Sequence, residues 1–132
     1  MDPIDIDLSA PIYPSDGTGV VPTEANERIE AASGFLPALT SALRRKLRKP
    51  GAHGDAMRAM FGSDQYKFTD QMPVGYTHVR KDPTGRRDIR IYGHPSGRYY
   101  DSAETFLPHV VAMLVLSDHC WCELCQHRSR GQ

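Results

Sequence analysis

The 132 residues are 39% hydrophobic, enough for one compact domain, and no apolar run approaches the roughly 20 residues that a membrane span needs. The opening MDPIDIDLS lacks the basic region and apolar stretch of a secretory signal, so a cytosolic or nuclear setting is expected. Sixteen bases balance sixteen acids, which excludes a polycation or polyanion as a whole. The balance is uneven, however. Residues 1–32 hold seven acids and one base, leaving fifteen bases against nine acids in the remainder, an excess that favours an anionic partner such as nucleic acid.

In chain order, residues 1–22 carry Pro3, Pro11, Pro14 and Pro22 with Gly17 and Gly19 among acids, and are expected to be a disordered acidic, proline-rich tail. Residues 23–54 read as a helical extension. Thr23 caps a helix over Glu24–Ala32, Ser33-Gly34 breaks it, and a second amphipathic helix runs from Leu36 to Lys49 through Leu39, Leu43 and Leu47. Its basic end, Arg44, Arg45, Lys46, Arg48 and Lys49, suits the negative pole of the helix dipole before Pro50-Gly51 stops it. Phosphate contact or nuclear import is the functional alternative.

A module over residues 55–127 follows, with 128–132 disordered. It opens with a short helix over Asp55–Phe61, closed by Gly62. Alternation of Tyr76, His78 and Arg80 with Thr77, Val79 and Lys81 predicts a strand. Asp82-Pro83-Thr84-Gly85 is a turn, and Arg87–Tyr92 a second strand with Ile89 and Ile91 on one face. A turn at His94-Pro95-Ser96-Gly97 leads to a third short strand at Arg98-Tyr99-Tyr100. Asp101-Ser102-Ala103-Glu104 has capping-box spacing, with Asp101 as cap, before a helix with an apolar stripe of Phe106, Leu107, Val110, Val111, Leu114 and Val115. Pro108 either kinks that helix or starts its regular part. The expected class is α+β, a small antiparallel sheet of three or four strands packed on one helix.

Residues 72–107, MPVGYTHVRKDPTGRRDIRIYGHPSGRYYDSAETFL, resemble a methyl-CpG-binding domain: a Pro-x-Gly-aromatic start, a basic loop between two strands, a Pro-Ser-Gly turn and an aromatic leading into a helix. The string YGHPSGRYYDSAETFLPHVVAML, followed by CWCELC, is similar to the amino-terminal domain of the fungal cryptic-loci-regulator silencing proteins over about residues 55–127. That resemblance implies heterochromatin silencing in the nucleus, alongside the histone deacetylase and chromatin remodeller of a repressor complex. In methyl-CpG readers one guanine-contacting arginine matches Arg80, but the position of the second holds Asp101, an anion that the acceptor-rich base edge would repel. Contact with DNA phosphates through Arg80, Lys81, Arg86, Arg87, Arg90 and Arg98, without methyl-CpG specificity, is the expectation; a solvated basic edge is the alternative. A protein–protein adaptor is the second functional class, with the leucine-striped helix or Trp121 as its contact.

Cys120, Cys122 and Cys125 fall within six residues, an odd number that argues against a disulfide framework. His119-Cys120-Trp121-Cys122-Glu123-Leu124-Cys125-Gln126-His127 offers zinc ligands. Three thiolates and one imidazole satisfy a tetrahedral structural site, with His127, His119 or distant His94 as the fourth. The alternative is a trio of small residues pinning the chain end. No paired carboxylates, phosphate-cradling glycine loop or activated thiol appears, so neither catalysis nor a small-molecule substrate is expected.

Overall fold

The computed structural model describes residues 3–21, 28–29, 34–80, 89–117, 120 and 122–125. Its elements run β1 (Ile4–Asp7), β2 (Arg28–Ile29), α1 (Leu36–Leu47), α2 (Ala52–Phe61), β3 (Tyr66–Thr69), β4 (Thr77–Arg80), β5 (Ile89–Tyr92) and α3 (Ala103–Leu114). β1 and β3 form a parallel pair, and β2, β4 and β5 an antiparallel sheet in that order. The class is α+β, as expected. Among the described residues no helix is long and apolar enough to cross a membrane.

The N-terminal segment departs from the disordered tail that its prolines suggest. Ile4, Ile6 and Leu8 alternate with acids, and this period of two lets β1 dock on the open edge of β3, with Ile4 beside Tyr66 and Ile6 beside Phe68. Ile6 and Leu8 are 1% and 3% exposed, so the segment contributes to the core. The helix expected over Glu24–Ala32 is also corrected within its described part. Arg28 and Ile29 are strand residues that pair with Arg80 and Val79. The third strand of the antiparallel sheet therefore comes from upstream. The strand expected at Arg98–Tyr100 is reduced to a single bridge between Tyr100 and Ile91.

α1 buries Leu36, Leu39, Leu43 and Leu47, the stripe its sequence predicts, and ends two residues before Lys49. α2 starts three residues before Asp55 and closes at Gly62, whose φ of +72° is the left-handed conformation that glycine adopts most easily. α3 runs unbroken through Pro108, which sits near its N-terminus and leaves only one carbonyl without a helical partner. Its cap is Ser102 rather than Asp101: the Thr105 amide donates to Ser102 Oγ at 3.1 Å. α3 packs on α1 and α2, so the core has three helices where one was expected. Phe106 joins this layer to the strands, its ring centroid 6.2 Å from Phe35, 5.2 Å from Tyr76 and 4.9 Å from Tyr100.

α3 ends in a Schellman turn. The Ser117 amide donates to Ala112 O at 2.9 Å and the Leu116 amide to Met113 O at 3.3 Å, with Leu116 at φ +56°. This reversal turns the chain back toward the helix and delivers the cysteines to its side.

Candidate metal centre

Four side chains from three separate segments converge. His94 follows β5 in a turn closed by the Gly97 amide donating to His94 O at 3.0 Å. His109 projects from α3, and Cys122 and Cys125 lie beyond the Schellman turn. One ligand atom from each of the four lies within 4.8 Å of all the others. His94 Nε2 is 3.4 Å from Cys125 Sγ, and His109 Nδ1 is 3.5 Å from both Cys122 Sγ and Cys125 Sγ. A tetrahedral zinc ion, about 2.3 Å from sulfur and about 2.0–2.1 Å from nitrogen, sets its ligands roughly 3.3–3.8 Å apart. The nitrogen–sulfur separations here fall in that range, so the donor set and spacing fit a four-coordinate metal.

The surroundings are dry and aromatic. His94, His109 and Cys122 are 2%, 4% and 0% exposed. Tyr76 and Tyr100 pack against His109, with ring centroids 5.7 and 6.0 Å away, and the Tyr100 hydroxyl lies 3.1 Å from Cys122 Sγ. The Cys120 thiol, then His109, His94 and Tyr100, hold Cys122 well below the usual thiol range, while burial and the Cys122 thiolate push Cys125 up to about 11. Burial alone would lower His109. Its bonds to Asp16 and Cys122 more than reverse this and raise it to about 9. The cluster thus sets the Cys122 thiolate beside a protonated His109, and metal ligation would displace the protons on His109 and Cys125.

The tautomers matter. The Ser96 amide donates to His94 Nδ1 at 3.0 Å, which leaves that ring's proton on Nε2, facing Cys125. A metal at Nε2 requires the proton on Nδ1, where Ser96 Oγ at 2.9 Å accepts it. His109 needs no such exchange: its Nε2–H donates to Asp16 Oδ1 at 2.9 Å, so loss of the Nδ1 proton to an incoming metal would present that lone pair to the sulfurs.

Residues 65–125 match the model of a family described as transcription-silencing protein, cryptic loci regulator Clr2. This segment is similar to the Clr2 silencing family. Among solved structures, Clr2 bound to the Clr1 C-terminus is similar over 100% of this chain and 33% of that one, with a TM-score of 0.59 and 21% identity, a likeness of fold. The chain spans about a third of that chain's length. No curated protein matches it.

All four donors lie inside the Clr2-family segment. Of the residues the sequence nominated as ligands, Cys122, Cys125 and the distant His94 meet in the cluster, and Cys120 Sγ lies 3.3 Å from His109 Nδ1 just outside the group of four. His119, Trp121 and His127 lie outside the described residues, and His94 and His109 supply the imidazoles here. His109 was not nominated, although a lone polar residue in the run Phe106–Val111 was its signal.

The nominated phosphate contacts are scattered by comparison. Arg80 and Arg90 are half-buried, at the end of β4 and within β5. The Arg90 guanidinium lies 4.3 Å above the Tyr99 ring and donates to the Tyr92 hydroxyl at 3.1 Å. Arg98 is exposed, on an open cleft of about 570 Å³ shared with Tyr99, Asp101 and Glu123. Lys81, Arg86 and Arg87 lie outside the described residues.

Proposed function

We propose that this chain is a non-catalytic module of a nuclear transcription-silencing complex, folded around a structural zinc ion and serving to hold a protein partner. The observation that carries this reading is that the Clr2-family segment, 65–125, contains all four donors of the buried cluster. Four protein ligands complete a tetrahedron, whereas catalytic zinc keeps one position for water or substrate. Zinc would supply cross-linking here: His94, His109, Cys122 and Cys125 would tie the turn after β5, α3 and the chain end into one body. The similar Clr2 structure holds the C-terminus of another protein. A terminal segment of a partner subunit, in a complex with deacetylase and remodeller activities, is accordingly the ligand class to test.

Metal analysis of the purified chain should find one zinc per molecule. His109→Ala and Cys122→Ser should lose it, and Cys120→Ser should keep it. A chain that purifies without metal and takes none up ends the zinc reading.

DNA is a second reading, favoured by the excess of bases beyond residue 32 and by Arg98 standing exposed. Duplex binding measured by mobility shift should weaken steeply with salt and in the Arg86→Ala, Arg87→Ala, Arg90→Ala triple variant. Methylated and unmethylated duplexes should bind equally, because Asp101 stands where a second guanine-reading arginine would be needed. Binding that ignores salt, or none, removes this reading and leaves the partner-binding one intact.

A further inference from the structure

The part of the chain outside the family segment reaches into the cluster. Residues 13–19 form a strap laid across the turns that precede β4 and follow β5. Ser15 Oγ donates to Val74 O at 2.6 Å, the Thr18 amide to Gly93 O at 2.8 Å and the Gly19 amide to Gly75 O at 3.0 Å. Three glycines allow this closeness. A Cβ on Gly17 would stand 2.3 Å from Val74 O, one on Gly75 2.4 Å from Gly17 O, and one on Gly93 2.3 Å from Gly75 O. Real side chains cannot occupy such positions, so the strap is seated by backbone-on-backbone contact.

That seat puts Asp16 against the far side of His109. Its Oδ1 takes the Nε2–H at 2.9 Å and also accepts from the Tyr76 hydroxyl, which is buried and fixed against Phe106. A carboxylate on the outer nitrogen of a ligating histidine sets its tautomer, aims its ring and strengthens it as a donor. We propose that Asp16 is the positioning carboxylate of the metal centre, so that metal binding and docking of the 13–19 strap stabilise each other. The proposal rests on the zinc reading above. It makes the N-terminal segment the fourth piece of chain in the centre, after the turn, α3 and the cysteine segment. A cleft of about 380 Å³ between the strap and the end of α3, lined by Pro14, Asp16, Met113, Leu116, Cys120 and Cys125, opens onto the ligands and gives the ion a route that strap release widens.

The coupling is reciprocal by thermodynamic necessity: whatever the strap adds to zinc affinity, zinc adds to the strap. Zinc affinity of the full chain would be measured by competition with a chromophoric chelator. Asp16→Asn, which keeps the shape and removes the charge, should weaken binding by about ten- to a hundredfold with one zinc still bound at saturation. Gly75→Ala, which leaves Asp16 and every ligand in place but presses a Cβ on Gly17, should weaken it in the same direction. In the wild-type chain, hydrogen exchange at the Thr18 and Gly19 amides should speed up when zinc is chelated. Wild-type affinity in Asp16→Asn, or strap amides that exchange equally with and without zinc, overturns the coupling while leaving a zinc stoichiometry of one untouched. A wild-type chain that binds no zinc removes the metal reading itself, and this proposal with it.

Discussion

Leu116 holds a conformation that costs an L side chain about 1–2 kcal/mol relative to glycine, and it does so on the surface, 55% exposed. The Schellman turn needs a left-handed residue there. Leu116→Gly should therefore raise stability by up to about 1 kcal/mol in urea denaturation, despite the entropy that glycine adds to the unfolded chain. A loss instead would mean that the leucine side chain contributes packing. The α3 cap offers a paired test. Ser102→Ala should cost about 1 kcal/mol, since it frees the Thr105 amide, while Asp101→Ala should stay within about 0.5 kcal/mol. Equal effects would return the cap to Asp101.

Elements with a strong local signature were legible, and those that depend on a distant partner were not. The leucine stripe of α1, the alternation at β4 and β5, the Pro-Ser-Gly turn and the apolar run of α3 each carry their geometry in adjacent residues. β1 is a four-residue alternation hidden among prolines and acids, and it becomes a strand only because β3 presents Tyr66 and Phe68 as a half-built face. Arg28–Ile29 likewise takes its conformation from the edge of β4, overriding a helical pattern. The candidate metal centre divides in the same way. Its cysteines announce themselves by spacing, but His109 sits in an apolar stripe and Asp16 in an apparent tail, joined only by tertiary structure. Docking of β1 has a direct check: Ile6→Ala, at a site 1% exposed, should cost about 2–5 kcal/mol. A cost near zero would release the strand from the core.

At the scale of the molecule, the proposed metal centre would close a body that has small sheets, short strands and much turn. Chelation should lower the midpoint of thermal unfolding and broaden the transition, because turn, α3 and chain end lose their common tie. An unchanged melt would mean that the aromatic core alone holds these segments. The bond between Asp16 and His109 spans 93 residues of sequence. At translation rates of about 5–20 residues per second, the strap is made roughly 5–20 s before its histidine. The strap thus waits for α3 before its carboxylate finds its partner. A nascent chain stalled before α3 would leave it open to proteases that the finished protein resists.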